Sequence, residues 1–388
     1  MTHEHMILFR LSQVWALIKL AVAFVISLFY RKRPIWLVTE RGVDARDNGY
    51  WFFRYLKEKH PEIESYYIIS VDSPDRGKLI QWKDWLLEYK SLKHYIMLWR
   101  ADYLISSHVQ GYFPYAGLGI WLKKVSRFYR NKKHINLKHG ITKDYMPYLD
   151  YSNTTLDLII AAVRTEYDFF IEKQKYPKLH VALTGFARYD NLNECSAKRQ
   201  ILIMPTWREW IYTQSEFQNT EYAQRYLHLL KSYQLRQVLE QEDVRLVFYP
   251  HHEVQKYLSV FRDCALSNRI IIADEANYDV QQLLKESALL VTDYSSVYFD
   301  FAYMRKPIIY YQFDQARFRK EHYAEGWFDY VHSFGKVVRL EDELLKSLVE
   351  SISSNFAMKK EYADYASSLF AYNDANNCER IYAAIINL

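Results

Sequence analysis

The 388-residue chain has little cysteine, glycine or proline, with 3, 10 and 9 residues respectively. Cys195, Cys264 and Cys378 sit far apart and no C-x-x-C occurs, which argues against a zinc ribbon or a secreted disulfide framework and for a reducing compartment. So few glycines and prolines exclude collagen-like, linker-rich and disordered classes. There is no D-x-D pair to clamp a metal–diphosphate, and no GxGxxG, P-loop, HExxH or GxSxG. Aromatics are abundant: 35 Tyr, 21 Phe and 10 Trp make up 17% of the chain. The length suits one large or two medium domains, with a core that needs no disulfide or metal staple.

The formal net charge is +5, and the positive charge is segregated. Residues 1–33 hold Arg10, Lys19, Arg31, Lys32 and Arg33 against Glu4 alone. Residues 103–143 hold Lys123, Lys124, Arg127, Arg130, Lys132, Lys133, Lys138 and Lys143 with no acid. Such patches attract anionic lipid, nucleic acid or phosphorylated substrates; a plain solvated face is the alternative. The first patch frames an apolar stretch, Leu11 to Tyr30. Its length and flanks favour a helix lying in or dipping into the cytoplasmic membrane face, ahead of a true span or a buried core helix. In the second patch, residues 121–133 read as a basic amphipathic helix, with Trp121, Leu122, Val125, Phe128 and Tyr129 on one arc. That helix suits a membrane interface or the protein's own core.

After Pro34 the pattern alternates strand and helix. Strands are expected at 35–39, 66–71, 103–106, 135–137, 156–163 and 181–184, with helices at 48–60 and from Arg164. After a polar break at 191–199, strands are expected at 200–204, 244–249, 270–273, 288–292 and 307–311. Helices are expected at 221–241, 279–286 and 297–304, and 341–388 reads as helical. This is an α/β pattern: mainly parallel sheets covered by helices, in two units joined near residue 190 with a cleft between them. The expected division is a membrane-associating segment at 1–33, domains at 34–190 and 191–345, and helices packing back at 346–388.

Polar residues cluster just after these strands, where open α/β sheets build ligand sites. They are His139 with Gly140; Thr206, Trp207 and Arg208; His251 and His252; and Asp293, Tyr294, Ser295 and Ser296. Ser295 and Ser296 precede a predicted helix, either capping it or binding phosphate with its free N–H groups. Arg208 is a candidate bidentate clamp on a diphosphate, or one half of an ion pair with a nearby acid. Histidine is the side chain suited to proton transfer near neutral pH, so His139 is a candidate general base, and Gly140 beside it lets a substrate approach; a purely structural histidine is the alternative. Adjacent histidines on an extended segment point to opposite sides, so His251 and His252 make a poor chelate and no metal site is expected.

The ordered series His139-Gly140, Thr184 to Asp190 (TGFARYD), Pro205-Thr206-Trp207-Arg208, Tyr249-Pro250-His251, Thr292 to Asp300 (TDYSSVYFD) and Lys306-Pro307-Ile308 resembles the CDP-glycerol glycerophosphotransferase family, builders of teichoic acids and phosphate-containing capsules. TDYSS followed by FDFA is its most specific element and PTWR the next. The resemblance runs from about residue 34 to 339. It implies a GT-B architecture of two Rossmann-like domains facing a cleft, with the donor nucleotide held mainly by the C-terminal one and, here, an N-terminal membrane-associated helix. It implies CDP-glycerol as substrate, a polyprenyl-linked or polysaccharide acceptor, and a peripheral or singly anchored place on the cytoplasmic face of a bacterial membrane. By motif position His139 resembles the catalytic base and His251 the second essential histidine. Thr206, Arg208, Ser295 and Ser296 resemble the donor-phosphate contacts, with Gly140, Arg188, Asp293 and Tyr294 around the cleft. Three positions depart from the family pattern: Lys138 before His-Gly, Ala187 before Arg188, and Pro250-His251-His252, which leaves open which histidine acts.

The expected reaction is transfer of a glycerol-phosphate unit to an acceptor hydroxyl with release of CMP, with no cofactor. A CDP-ribitol or nucleotide-sugar transferase is the nearest alternative. A non-catalytic protein binding a membrane surface or nucleic acid is the alternative of another class, motivated by the basic, aromatic 103–143 segment; nucleic acid is not the expected partner.

Overall fold

The computed structural model describes residues 3–30, 33–154, 156–192, 197–211, 217–263, 267–322 and 326–388, without the side chains of 3–12 and 116. Cys195, Cys264, Arg31 and Lys32 lie outside the described residues. The chain forms two compact units: Met1–His139 with Pro147–Asp190 and Asp374–Leu388, and Gly140–Met146 with Asn191–Asn373.

The first unit is built on a seven-stranded sheet in the order β3-β2-β1-β4-β5-β6-β7. Its strands are β1 (Ile35–Thr39), β2 (Glu64–Ile69), β3 (Leu86–Glu88), β4 (Tyr103–Ser106), β5 (Lys133–Asn136), β6 (Leu158–Ala161) and β7 (Val181–Leu183). All its pairs are parallel, with Val38 opposite Ile105 and Ile105 opposite Ile135. The second unit has a six-stranded parallel sheet, β10-β9-β8-β11-β12-β13. Its strands are β8 (Lys198–Ile203), β9 (Arg245–Phe248), β10 (Ile270–Ile272), β11 (Ser287–Thr292), β12 (Ile308–Tyr311) and β13 (Gly335–Val338). Each sheet starts at its centre, runs outward, then reverses: the doubly wound order, whose switch points lie between β1 and β4 and between β8 and β11. The inner strands read as continuous apolar runs because both faces are covered.

Helices fill the crossovers. In the first unit they are α1 (His3–Ser27), α2 (Asn48–Lys59), α3 (Leu92–Arg100), α4 (Ala116–Val125), α5 (Arg127–Arg130), α6 (Tyr151–Thr154) and α7 (Arg164–Glu172). The single helix expected at 221–241 is two, Glu221–Lys231 and Tyr233–Gln241, because the Ser232 side chain accepts the Leu235 N–H and starts the second. The C-terminal residues divide. Helices Glu341–Ser353 and Lys360–Leu369 belong to the second unit, and Asn377–Ile386 to the first. There Asp190 accepts the Asn377 and Cys378 N–H groups at 2.8 Å each.

The N-terminal stretch needs a correction. Among the described residues no helix is long and apolar enough to cross a membrane. One stripe of α1, Ala16, Leu20 and Ala23, is buried in the unit's core with residues of α3. Trp99 Nε1 donates to the Leu20 carbonyl at 2.9 Å, and Lys19 Nζ to the Lys90 carbonyl at 3.1 Å. The other side exposes Val14, Trp15, Leu17, Ile18, Val22 and Val25.

The basic 103–143 segment also differs from its expectation. The helix breaks at Ser126, and Lys133 lies in β5. Four of its eight cations are buried: Lys123, Lys132, Lys138 and Lys143. Lys123 pairs with Asp157, while Lys132 donates to the Trp99 and Ala101 carbonyls at 2.8 and 2.6 Å. The apolar arc divides likewise. Leu122 and Tyr129 enter the core, and Trp121, Val125 and Phe128 stay exposed.

Candidate functional site

The sequence-predicted residues fall into two groups, one in each unit. In the first, β1 and β5 end in loops that carry Asp47 and His139. Asp47 caps α2, its Oδ1 accepting the Asn48 N–H at 2.7 Å. His139 is 71% exposed at its side chain, and its Nδ1 lies 2.6 Å from Asp47 Oδ2. Arg188 Nη1 is 2.9 Å from Asp47 Oδ1 and also donates to the His139 carbonyl at 2.9 Å. Asn48 ties the same loop down: its Nδ2 donates to the Lys138 carbonyl at 2.7 Å and its Oδ1 accepts the Arg188 N–H at 3.0 Å. Lys138 reaches φ +63°, which turns the chain sharply just before His139. The His108 ring stacks on His139 with centroids 5.0 Å apart.

Electrostatics separate these groups. Burial works to raise the Asp47 carboxyl, but the charges of Arg188 and then His139 outweigh it and hold it down at about 2. Burial and then His139 depress His108 to about 3, so it stays neutral. Glu40 accepts the Asp47 N–H at 2.6 Å and the Arg46 N–H at 2.9 Å; burial and then Asp47 raise it to about 8.

The second group surrounds the β8–β11 switch point. Arg208 is fully buried. It pairs with Asp293 Oδ2 at 2.9 Å and Asp314 Oδ2 at 2.6 Å, and it donates to Asp314 Oδ1 at 3.0 Å and the Thr206 carbonyl at 2.6 Å. Burial opposes its charge, but Asp293 and Asp314 overcome that and hold the guanidinium protonated. Its acids are thus Asp293 and Asp314 rather than the neighbouring Glu209, and its donors face inward. Asp293 Oδ1 accepts the Thr206 N–H at 2.9 Å and the Tyr294 N–H at 2.6 Å. Tyr294 is buried, stacks on Phe318 with centroids 3.8 Å apart and donates to Asp314 Oδ1 at 3.2 Å. Thr206 Oγ1 is buried without a hydrogen-bond partner among the described residues.

Ser295 and Ser296 are half-buried, and the helix after them is short, Tyr298–Tyr303, with Val297 at its N-cap in place of a serine. Ser296 Oγ lies against Gly140: a Cβ there would come within 2.6 Å of it, so a side chain at 140 would collide with the hydroxyl. His251 caps the helix His252–Gln255, its Nδ1 accepting the Glu253 N–H at 3.2 Å, which places the ring proton on Nε2. His252 is exposed and pairs with Glu275 at 2.8 Å. Trp207 stacks on His251 and meets the His322 ring edge-on at 5.1 Å. Burial and then Arg208 lower His322 to about 4.

Several of these participants lay outside the sequence reading: Glu40, Asp47, Asn48, His108, Asp314 and His322. Asp47 had a signal, as the acid directly before a predicted helix in the first strand–helix loop. Asp314 follows an expected strand, as the other candidates do. Nothing local marks His322.

The family described as CDP-Glycerol:Poly(glycerophosphate) glycerophosphotransferase matches residues 20–387. The minor teichoic acid biosynthesis protein GgaB of Bacillus subtilis (strain 168) is 31% identical over 389 residues, covering 96% of this chain and 42% of that protein. The teichoic acid poly(glycerol phosphate) polymerase of the same strain is 21% identical, covering 90% of this chain and 48% of that protein. The chain therefore spans less than half the length of these two relatives. A structure of the wall teichoic acid polymerase TagF, from a variant soaked with CDPG, matches with a TM-score of 0.67 at 16% identity, covering 100% of this chain and 98% of that one, a likeness of fold. On the family match, this chain belongs to the CDP-glycerol:poly(glycerophosphate) glycerophosphotransferase family.

Proposed function

We propose that the protein transfers a glycerol-phosphate unit from CDP-glycerol to a hydroxyl of a membrane-linked glycan or teichoic-acid-type acceptor and releases CMP. In this reading the two units are the halves of a GT-B transferase, the second holding the donor. The observation that carries it is His139, an exposed imidazole whose Nδ1 is taken by Asp47, so that Nε2 is the nitrogen left for a substrate proton. The acceptor O–H gives its proton to Nε2 as its oxygen bonds to the glycerol-bearing phosphorus. The bond from that phosphorus to the bridging oxygen breaks, and CMP leaves with the electron pair.

Such a centre needs charge stabilisation and in-line placement more than covalent help. Thr206, Ser295 and Ser296 offer hydroxyls, and His251 offers its Nε2–H. Arg208 acts one step back: with Asp293 and Asp314 it fixes the loop that presents Thr206. The exposed Trp121, Val125 and Phe128, with exposed Lys124, Arg127 and Arg130, support a place at the cytoplasmic membrane face. Phe128 also meets Phe24 of α1 at 5.5 Å, which extends this patch toward the apolar side of that helix.

The test is nucleotide release from CDP-glycerol, CDP-ribitol and nucleotide sugars with membrane extract as acceptor. CMP release from CDP-glycerol that falls about 10²–10⁴-fold in His139→Ala supports the reading. Turnover of another donor alone, or a fully active His139→Ala, overturns it.

A further inference from the structure

We propose that Asp47 and Arg188 are the positioning residues of His139, a buried acid–arginine pair that fixes the tautomer, the charge and the direction of the exposed imidazole. The proposal rests on the reading of His139 as the base. The family resemblance implies a place for Arg188 around the cleft. The structure turns it inward, buried against the Phe186 and Tyr189 rings at 5.0 and 5.5 Å, with Nη1 shared between Asp47 Oδ1 and the His139 carbonyl.

The two oxygens of Asp47 thus have separate duties. Oδ2 takes His139 Nδ1, and Oδ1 takes Arg188 and the α2 N-terminus. With Nδ1 as the donor to a carboxylate, the neutral ring keeps its lone pair on Nε2, the tautomer a general base requires. The anion also stabilises the imidazolium that forms once the proton arrives. Arg188 keeps Asp47 ionised, and through the His139 carbonyl it pins the ring's own backbone. Asn48 braces the same loop from the other side of the cap. An imidazole as exposed as His139 would otherwise sample several rotamers.

The charged and titratable groups around this ring are Asp47 and His108, with Arg188 on the His139 carbonyl and Glu40 behind the Asp47 N–H; the Lys138 ammonium turns away to the Phe170 ring. His108 is neutral and does not compete for the Asp47 charge.

The experiment is the pH profile of kcat for CDP-glycerol turnover in the full chain, in wild type, Asp47→Asn, Asp47→Glu, Arg188→Gln and His139→Ala. Asn at 47 retains an N-cap and the volume but loses the charge. The expected result is a fall in kcat of about 10²-fold with the donor KM within about twofold, and partial recovery in Asp47→Glu. Loss of the anion lowers the basicity of His139, so the acid limb of the profile moves to lower pH. Loss of the Arg188 cation raises it, so that limb moves to higher pH. A merely structural role lowers kcat without these opposite displacements.

If His139→Ala is inactive while both limbs stay in place in Asp47→Asn and Arg188→Gln, the positioning role is overturned and the base survives. If His139→Ala is active, the base reading itself falls. Should Asp47→Asn not fold, Arg188→Gln decides alone: an upward limb shift supports the proposal, and an unmoved limb overturns it.

Discussion

The two units share a strand order and place their polar residues at the same topological position, yet they treat charge in opposite ways. In the first, one carboxylate and one arginine are buried and the histidine they hold is exposed. In the second, the arginine itself is buried between two carboxylates, and what remains accessible nearby is hydroxyl and imidazole. An imidazole with one acid behind it and solvent in front is arranged to exchange a proton. A guanidinium with three hydrogen bonds to protein, an ion pair to Asp293 and no exposed surface is arranged to hold loops together. Position after a strand selects both, and burial distinguishes reagent from scaffold.

The sharpest way to break this contrast is Arg208→Ala. It leaves Asp293 and Asp314 buried without their cation, and removing one partner of a buried ion cluster costs about 3–5 kcal/mol. Denaturant unfolding should show that loss in full. His139→Ala should leave unfolding within about 0.5 kcal/mol of wild type, since its ring is exposed. Arg208→Lys keeps the charge but cannot fork to both Asp314 oxygens, so it should fall between wild type and Arg208→Ala. An Arg208→Ala protein as stable as wild type would mean the cluster is no scaffold.

The sheets were legible because buried parallel strands are continuous apolar runs, and β1 and β4 fall where the pattern puts them, at Ile35–Thr39 and Tyr103–Ser106. The short edge strands β3 and β13 escaped notice: three or four residues carry no periodicity. The site was legible as a set of strand ends but not as a set of pairs. Asp47 and His139 are 92 residues apart, and Arg188 and Asp47 are 141, so only the fold shows which acid serves which base. Burial of lysines was the hardest to read. Lys132 and Lys138 look like surface charge until backbone carbonyls and a neighbouring acid account for them.

Acid should weaken the first unit more than the second. Burial depresses His94 to about 4, and burial and then His139 depress His108 to about 3; His134 also lies well below its ordinary range because of burial and then Lys123. Each stays neutral in the folded chain while the unfolded chain protonates near 6.5, so stability is full above 6.5 and falls as pH drops below it. Glu40 works the other way in the same window: its folded form keeps a proton up to about 8 that the unfolded chain holds only near 4.5. Three imidazoles against one carboxyl leave a net loss of about 2 kcal/mol between pH 6.5 and 5.5. In the second unit His322, lowered to about 4, acts in the same direction. Asp47 does not enter, because its contribution is lost only below about 4. Hydrogen exchange resolved by segment should show the loss around β4 and β5 first. A flat response from 6.5 to 5.5, or an earlier one around β8 and β11, would contradict the assignment.

The smallest expected effect tests the surface side of the contrast, since the exposed Trp121, Val125 and Phe128 patch with its flanking cations belongs to the first unit. Half of the cations that make the 103–143 segment look basic are internal, so the proposed membrane contact rests on Lys124, Arg127 and Arg130, with Lys133 half-buried. Each near-surface cation contributes about 1 kcal/mol, so Arg127→Ala should weaken sedimentation with phosphatidylglycerol-containing vesicles about fivefold, and less as salt rises. Phe128→Ser should weaken it by a salt-independent amount, because it removes apolar area rather than charge. Lys132→Ala should leave vesicle binding alone and cost stability instead, because its ammonium is already spent on the Trp99 and Ala101 carbonyls. If Lys132→Ala and Arg127→Ala weaken vesicle binding equally, then burial does not decide which charges meet the membrane, and the distinction between internal and surface charge fails where it is easiest to measure.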